Sequence, residues 1–468
     1  MQRGGVAQPN LGLAYILTAL ERDGIDAHLL DLTFERQPLP PLGLQLRRLA
    51  PDLVGLSANS VSLDDNLALA REVKRLRPGT HVILGGVHST LLPLRTLAHA
   101  CVDSVCIGEG EQSLPLFVRR GLQQTEGIWQ RRDGALLTPP LRPYIADLDS
   151  LPFPDWSRWD LEPYRRSFIL PDALWVLSSR GCIYRCSYCS NHALSKAVPG
   201  TYYRERSADN VVDEVLFNLE QRPVRSVFFE SENMNLHHSD FLERFARRWR
   251  DAHLERRLVW GCKIRADLVT ADWVREVREL GCVFVSMGLE SGNETIRARY
   301  CKPIDDATFR RVCALLGDAG ICVNLNIMVG TPLETADDVR QSVRLAESLR
   351  PTTTYYSYYV PLPCTPLGEM RAAPRTAAEE RQLKRLLWRT RLRENLRLLA
   401  SGLRRHRVTF LAEVARDTLR TLHSAGLHEL AAFSPVKLIA SSPVKNAYFR
   451  LTLGRPVAGK TSSSARGC

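Results

Sequence analysis

Apolar residues recur along this chain at two periods, and the alternation between them sets out its elements. Over 11–23 they fall three and four apart and Gly24 follows, which predicts an amphipathic helix. Short apolar runs predict strands at 27–32, 52–57, 81–84 and 104–107, with a helix over 63–76 closed by Pro78 and Gly79. The last two strands run into Gly85-Gly86 and Gly108-Glu109-Gly110-Glu111. Repetition of strand, glycine turn and helix predicts a parallel sheet covered on both faces, with ligands at the carboxyl ends of its strands.

The pattern resumes after a gap. Strands are expected to begin near Leu174, Ser226, Leu258, Val283, Asn324 and Tyr355, and six such units make an incomplete (β/α)6 barrel. Between the repeats, 126–172 carries Pro139, Pro140, Pro143, Pro152 and Pro154 and reads as an extended linker. The fold class is thus α/β, with a doubly wound, Rossmann-type parallel-sheet domain over 1–125, a Pro-rich linker over 126–172, a partial TIM-like barrel over 173–370 and a helical extension over 371–468. In the extension, leucines fall at helical spacing from Leu383 to Leu399, and the Ser-rich end at 461–468 is expected to be disordered. The run Tyr355-Tyr356-Ser357-Tyr358-Tyr359 reads as a strand with one aromatic face in the core, or with one or two phenols lining a cavity.

Charge changes this picture only near the end. The chain carries a formal +12, yet 375–468 holds 19 Lys and Arg against 6 Asp and Glu, so the body is at −1. A neutral body argues against a nucleic-acid groove. The basic tail is expected to pack on the barrel with a solvated arginine face, or to touch a membrane surface or an acidic partner. No apolar run reaches the roughly 18 residues that span a bilayer. The stretch 11–20 has no small-residue cleavage site after it and reads as the first helix. Twelve cysteines without disulfide rhythm point to a reducing, cytoplasmic compartment.

Three of those cysteines stand together in Cys182-Ile-Tyr-Arg-Cys186-Ser-Tyr-Cys189. A cubane takes four ligands, so three thiolates leave one iron open to a small molecule, whereas structural zinc sites and electron-transfer clusters are closed. Zinc is the alternative, and would need a fourth ligand such as His192. With Tyr188 before the last cysteine and Ser178-Ser179-Arg180-Gly181 before the first, the loop resembles that of the radical S-adenosylmethionine (SAM) enzymes. The resemblance implies a 4Fe-4S cluster on Cys182, Cys186 and Cys189, SAM chelated at the open iron, and a 5′-deoxyadenosyl radical. It further implies SAM contacts from Tyr188, from Glu232 and Asn233 after the strand at 227–230, from Arg265, from Ser286 and Glu290, and from Gly330 and Glu334.

The first quarter of the chain resembles the cobalamin-binding domain that precedes many radical SAM domains, through Pro9–Tyr15, Pro51–Ser57, Leu84-Gly-Gly-Val-His88 and Ile107–Glu111. That resemblance implies cobalamin contacts from Ser57, Gly85, Gly86, Gly108, Glu109 and Gly110, glycines letting a flat corrin approach the backbone. The D-x-H of this quarter, Asp26-Ala-His28, is followed by Leu29, Leu30 and Asp31 and lacks the loop glycine of a cobalt-ligating motif. His28 is therefore expected to be a strand residue, and no protein histidine to hold the cobalt. A first strand would have to precede Pro9, where only Met1–Gln8 stand, so the sheet is expected to lack a strand or the chain to start late.

Together the two resemblances imply a cobalamin-dependent radical SAM methyltransferase acting on an unactivated carbon of a small-molecule or natural-product substrate, reduced by a flavodoxin or ferredoxin. A second reading keeps the radical but performs cyclisation, rearrangement or oxidation. A third is a non-catalytic scaffold with a structural cluster. No residue type or spacing singles out a general base.

Overall fold

The structure, a computed structural model, describes residues 8–35, 37–167, 169–236, 240–371, 376–425 and 442–453. Asn10 opens the first helix, Leu11–Arg22, by accepting the Leu13 N–H at 3.0 Å, which satisfies one of the donors that a helix start leaves free. Behind it lies a sheet of β1 (Leu53–Ser57), β2 (His81–Gly85) and β3 (Ser104–Cys106), all parallel. Two further strands, β4 (Ile128–Arg132) and β5 (Ala135–Leu137), continue it antiparallel beyond β3. The proline-rich stretch 126–172 is therefore not a bare linker: its first part completes this sheet, and its Trp156 and Trp159 pack into the barrel core beside Trp175.

One local expectation is corrected, and one helix was not expected. Residues 27–32 join no ladder among the described residues; Leu29 leans on the barrel core and Asp31 accepts the Tyr164 hydroxyl at 2.6 Å, so the segment lies against the second domain instead of widening the sheet. A helix at Leu39–Leu49 was not legible, because prolines mark breaks in most contexts; here they occupy the first turn, where no backbone N–H is needed.

The barrel begins with β6 (Ala173–Val176) and is interrupted by a short antiparallel pair, β7 (Ser179–Arg180) and β8 (Arg204–Glu205). It continues with β9 (Ser226–Phe229), β10 (Val259–Ile264), β11 (Cys282–Glu290), β12 (Cys322–Val329) and β13 (Thr353–Tyr358). The six long strands are parallel in the order β13-β12-β11-β10-β9-β6, which is the incomplete barrel the spacing predicts. Their outward faces bury Phe229, Trp260, Val285 and Leu325 against the helices. Burial of several such side chains, at about 1.5–3 kcal/mol each, is what holds the strand ends in place.

An open barrel leaves an edge, and the basic extension covers it. The helix Ala377–Ala425 runs beside β13, where Glu394 accepts the Thr354 N–H at 2.8 Å and Arg391 donates to the Tyr356 carbonyl at 3.3 Å. Phe410, Val414 and, from the helix Ser442–Leu453, Phe449 join the barrel core. The aromatic strand does not split by alternation alone: Tyr356 is buried, Tyr358 on the same face but at the end of the strand is exposed, and Tyr359 packs in a cluster with Tyr188 and Tyr300. The Ser-rich end at 461–468 lies outside the described residues. Among the described residues no helix is long and apolar enough to cross a membrane.

Candidate active site

The three thiols sit on the loop that leaves the barrel at β7 and returns at β8. Gly181 opens it with φ at +82°, and a Cβ there would lie 2.3 Å from the Tyr202 carbonyl oxygen, so no other residue fits. Cys189 donates its N–H to the Cys186 carbonyl at 3.1 Å, closing a tight turn between two of the candidate ligands. The far side of the loop is stitched to the barrel by Ser187, which donates to the Tyr300 carbonyl at 3.0 Å and accepts from Leu367 at 2.9 Å. Burial pushes the Cys189 thiol up to about 12, with Glu232, Cys186 and Cys182 adding to the rise; Cys182 is raised for the same leading reason.

Among the described residues no group of three His, Cys, Asp or Glu side chains is placed to hold a single metal ion. A cubane asks for less convergence, because each thiolate binds a different iron. His192 does not join the thiols; its Nε2 approaches Lys196 Nζ at 3.4 Å. The donor set of three thiols fits a cluster with one open iron.

The ends of β9 to β12 surround this loop. Asn233 donates to the Cys182 sulfur at 3.7 Å, a contact that stabilises negative charge on the sulfur. Glu232 is exposed beside Cys182 and Cys189. Arg265 is buried, pairs with Asp267 at 2.8 Å and lays its guanidinium 3.6 Å from the centre of the Tyr184 ring, so it reaches the cysteine loop directly. Glu290 ends β11 with φ at +66°, a conformation an ordinary residue holds only when its surroundings enforce it; Lys302 Nζ, 2.9 Å from its carboxylate and also buried, supplies that hold. Tyr188 stands between Glu290, Cys186 and the edge of Tyr300, with ring centres 5.6 Å apart; burial raises its phenol well above the ordinary value, and Glu290 adds to the rise. Glu334 closes the turn after β12 by accepting the N–H groups of Gly330 at 2.9 Å and Thr331 at 3.1 Å.

Motif reading picked out Ser286 but not the polar row it belongs to, which crosses the barrel interior. Lys263, Ser286, Asn324 and Thr353 are register partners on four consecutive strands. Asn326 donates to Ser286 at 2.9 Å, Asn324 to Asn326 at 3.0 Å, and Thr353 to Asn324 at 2.8 Å. Lys263 pairs with Glu230; burial would lower its pKa, but Glu230 and Glu232 outweigh burial and raise it, so the ammonium stays charged. The available signal was a charged or amide residue alternating with apolar ones inside a buried strand.

In the first domain the candidates divide. Ser57 and Gly85 are register partners at the carboxyl ends of β1 and β2, with Asn10 donating to Ser57 Oγ at 3.2 Å. Gly86 has φ at +92° and a Cβ there would lie 2.7 Å from the Ala58 carbonyl. A Cβ on Gly108 would meet Val198 of the second domain at 3.2 Å, and one on Gly110 would meet Ile16 at 2.8 Å, so neither glycine exposes a bare face. Glu109 turns to the barrel, accepting from Arg180 at 3.0 Å, Arg204 at 2.7 Å and the Ile145 N–H at 2.7 Å. By the same test the space at Gly86 is taken by the Ala58 carbonyl, which leaves Ser57 and Gly85, at the β1–β2 end, as candidates for a corrin contact. His28 is 52% exposed, beside Asp26 at 3.3 Å and on no strand.

A parallel-sheet domain with glycine turns at its strand ends, joined to a partial barrel with three thiols at its mouth, defines the class as an α/β enzyme with two candidate cofactor sites. Residues 4–118 match the family model of the B12 binding domain and residues 176–346 that of the Radical SAM superfamily, together more than half of the chain. The chain therefore belongs to the radical SAM superfamily, in the group whose catalytic domain follows a cobalamin-binding domain, and its cofactors are a 4Fe-4S cluster, SAM and cobalamin.

It is 24% identical over 375 residues to an uncharacterized methyltransferase of Pyrococcus horikoshii, covering 79% of this chain and 80% of that protein. It is 27% identical over 379 residues to the anaerobic magnesium-protoporphyrin IX monomethyl ester cyclase of Cereibacter sphaeroides, covering 77% of this chain but only 60% of the cyclase. The radical SAM methyltransferase TsrM from Kitasatospora setae, solved with cobalamin and a [4Fe-4S] cluster, superposes with a TM-score of 0.64 at 20% identity over 80% of this chain and 74% of that one. At that identity the superposition establishes the shared fold.

Proposed function

We propose that this chain methylates an unactivated carbon of a small-molecule substrate, using SAM both as radical source and as methyl supply. The observation that carries the reading is the pairing of an open, three-thiol loop with a cobalamin-type domain gripping both ends of that loop. When bound, the cluster supplies the electron that cleaves SAM, and cobalamin supplies a carrier for the methyl group. Cys182, Cys186 and Cys189 would hold the cluster, and Asn233 would tune it. Arg265 offers a buried cation for the SAM carboxylate, while Glu232 offers an exposed anion for its ammonium. Ser286 and Asn326 offer hydroxyl and amide groups for the ribose, and the Gly330–Glu334 turn offers flat backbone to the adenine. The row of Lys263, Asn324 and Thr353 faces the remaining interior and would orient the substrate. A small reducing protein such as a flavodoxin or ferredoxin, in a reducing cytoplasm, would supply electrons.

The test is anaerobic loading of the full chain with cluster and cobalamin, followed by SAM and a chemical reductant. Release of both 5′-deoxyadenosine and S-adenosylhomocysteine is expected. The kinship to a cyclase favours a second reading, radical ring closure without methyl transfer, which 5′-deoxyadenosine with no S-adenosylhomocysteine would support. Absence of both products sinks the enzymatic reading.

A further inference from the structure

The cysteine loop leaves and re-enters the barrel through β7 and β8, and each of those strands presents an arginine to the same carboxylate. Arg180 Nη1 lies 3.0 Å from Glu109 Oε1; Arg204 reaches both oxygens of Glu109, at 2.7 and 2.9 Å. Arg180 also donates to Glu111 at 2.7 Å, and Arg204 to the Ile145 carbonyl at 2.7 Å. All four side chains are nearly out of water, at 15% and 5% exposure for the arginines and 12% and 5% for the acids. A second layer extends the contact: Arg180 stacks over the Tyr15 ring at 4.8 Å, and Arg206 and Tyr15 both bond Glu214. Charged hydrogen bonds shielded in this way are the strong ones, and bidentate arginine pairs fix angle as well as distance.

The arrangement is specific in what it joins. Glu109 ends the turn after β3 and Glu111 lies in the first turn of the helix Gly110–Arg119 that follows, both at the ligand end of the first sheet. Arg180 is two residues before Cys182, with the constrained Gly181 between them. The first domain is thus tied to the loop by a charged contact beside a residue whose backbone is constrained.

We propose that Glu109 and Glu111 are positioning residues that lock both ends of the cysteine loop to the first domain, and so set the separation between the cluster and the corrin. The proposal rests on the two-cofactor reading above and deepens it. Under that reading the substrate carbon would have to lie within reach of both cofactors, so their separation would decide whether the radical meets its methyl donor.

Two measurements on the full chain test it with Glu109→Gln and Glu111→Gln, which keep shape and remove charge. In the cofactor-free protein, amide hydrogen exchange over 182–203 is expected to quicken at least about tenfold, with the barrel strands unchanged. In protein loaded with cluster and cobalamin, the magnetic coupling between reduced cluster and cob(II)alamin is expected to broaden or weaken at undiminished cluster content. Unchanged exchange and an unchanged coupling in both variants overturn the proposal. If Glu109→Gln does not fold, Glu111→Gln, which leaves Arg180 one partner, carries the same two readouts. If the wild-type chain takes up no cobalamin, the two-cofactor reading fails, whereas the exchange experiment still decides whether the clasp exists.

Discussion

The two parallel sheets of this chain end their strands differently. In the barrel, the residues after β9 to β12 turn toward one centre and leave Glu232, Ser286 and Asn326 reachable from it. In the first domain, the turn after β3 faces the other domain, with Glu109 on two arginines and Gly108 against Val198. The same supersecondary rule thus yields a binding surface in one place and a joint in the other. A strand-end motif identifies where function can sit, and the neighbouring domain decides which function it is.

The comparison breaks most sharply at the cysteines. Replacing Cys182, Cys186 or Cys189 by Ala is expected to remove the cluster's absorption and cut 5′-deoxyadenosine formation more than about 100-fold, beyond the usual cost of losing a mere supporting group. Retained activity in any one variant would mean the site lies elsewhere.

Next in size is the pair Glu290 and Lys302. Removing one partner, as in Lys302→Met, leaves a buried charge and is expected to cost about 3–5 kcal/mol of unfolding free energy, read by denaturant titration. A change below about 1 kcal/mol would show that the strained end of β11 has another support.

Gly86 then separates the two uses of a glycine turn. If it serves backbone packing, Gly86→Ala lowers stability by about 1–3 kcal/mol because its φ of +92° and the Ala58 carbonyl 2.7 Å away both oppose a side chain. If it serves the corrin alone, cobalamin uptake falls while the thermal midpoint holds.

A smaller effect is expected with acid. Burial favours the protonated form of Glu109, but Arg204 and Arg180 outweigh it and hold the carboxyl below its ordinary 4.5. Tyr144, Tyr15 and Glu111 are other titratable groups facing it or its arginines. Because the folded value is the lower one, the contribution is complete above pH 4.5 and fades as the pH falls through the folded value. Unfolding midpoints measured between pH 6 and 3 should fall more steeply in wild type than in Glu109→Gln. Smallest of all, His28→Ala is expected to change stability by less than about 0.5 kcal/mol and to leave the spectrum of bound cobalamin unaltered.

Chemical signals in the chain were easier to read than geometric ones. The trio of thiols and the six barrel strands stand out because spacing alone constrains them, and the strands begin within a residue or two of where periodicity puts them. Glu109 was misleading because a carboxylate among glycines looks like a ligand contact; its arginines lie 71 and 95 residues away in sequence, beyond any local pattern. The polar row failed differently, since Ser286, Asn324 and Thr353 meet only once strand register is known. The segment at 27–32 has a strand's composition, yet Tyr164 and the barrel core outcompete a sheet neighbour.

The stitching of Ser187 to Tyr300 and Leu367 carries a consequence for damage and recovery. Those bonds run between main-chain atoms and owe nothing to iron. Air that dissolves the inorganic core should therefore leave the polypeptide folded around its bare thiols, unlike small zinc domains that collapse when stripped. Repair would then need only iron, sulfide and electrons, with no refolding step.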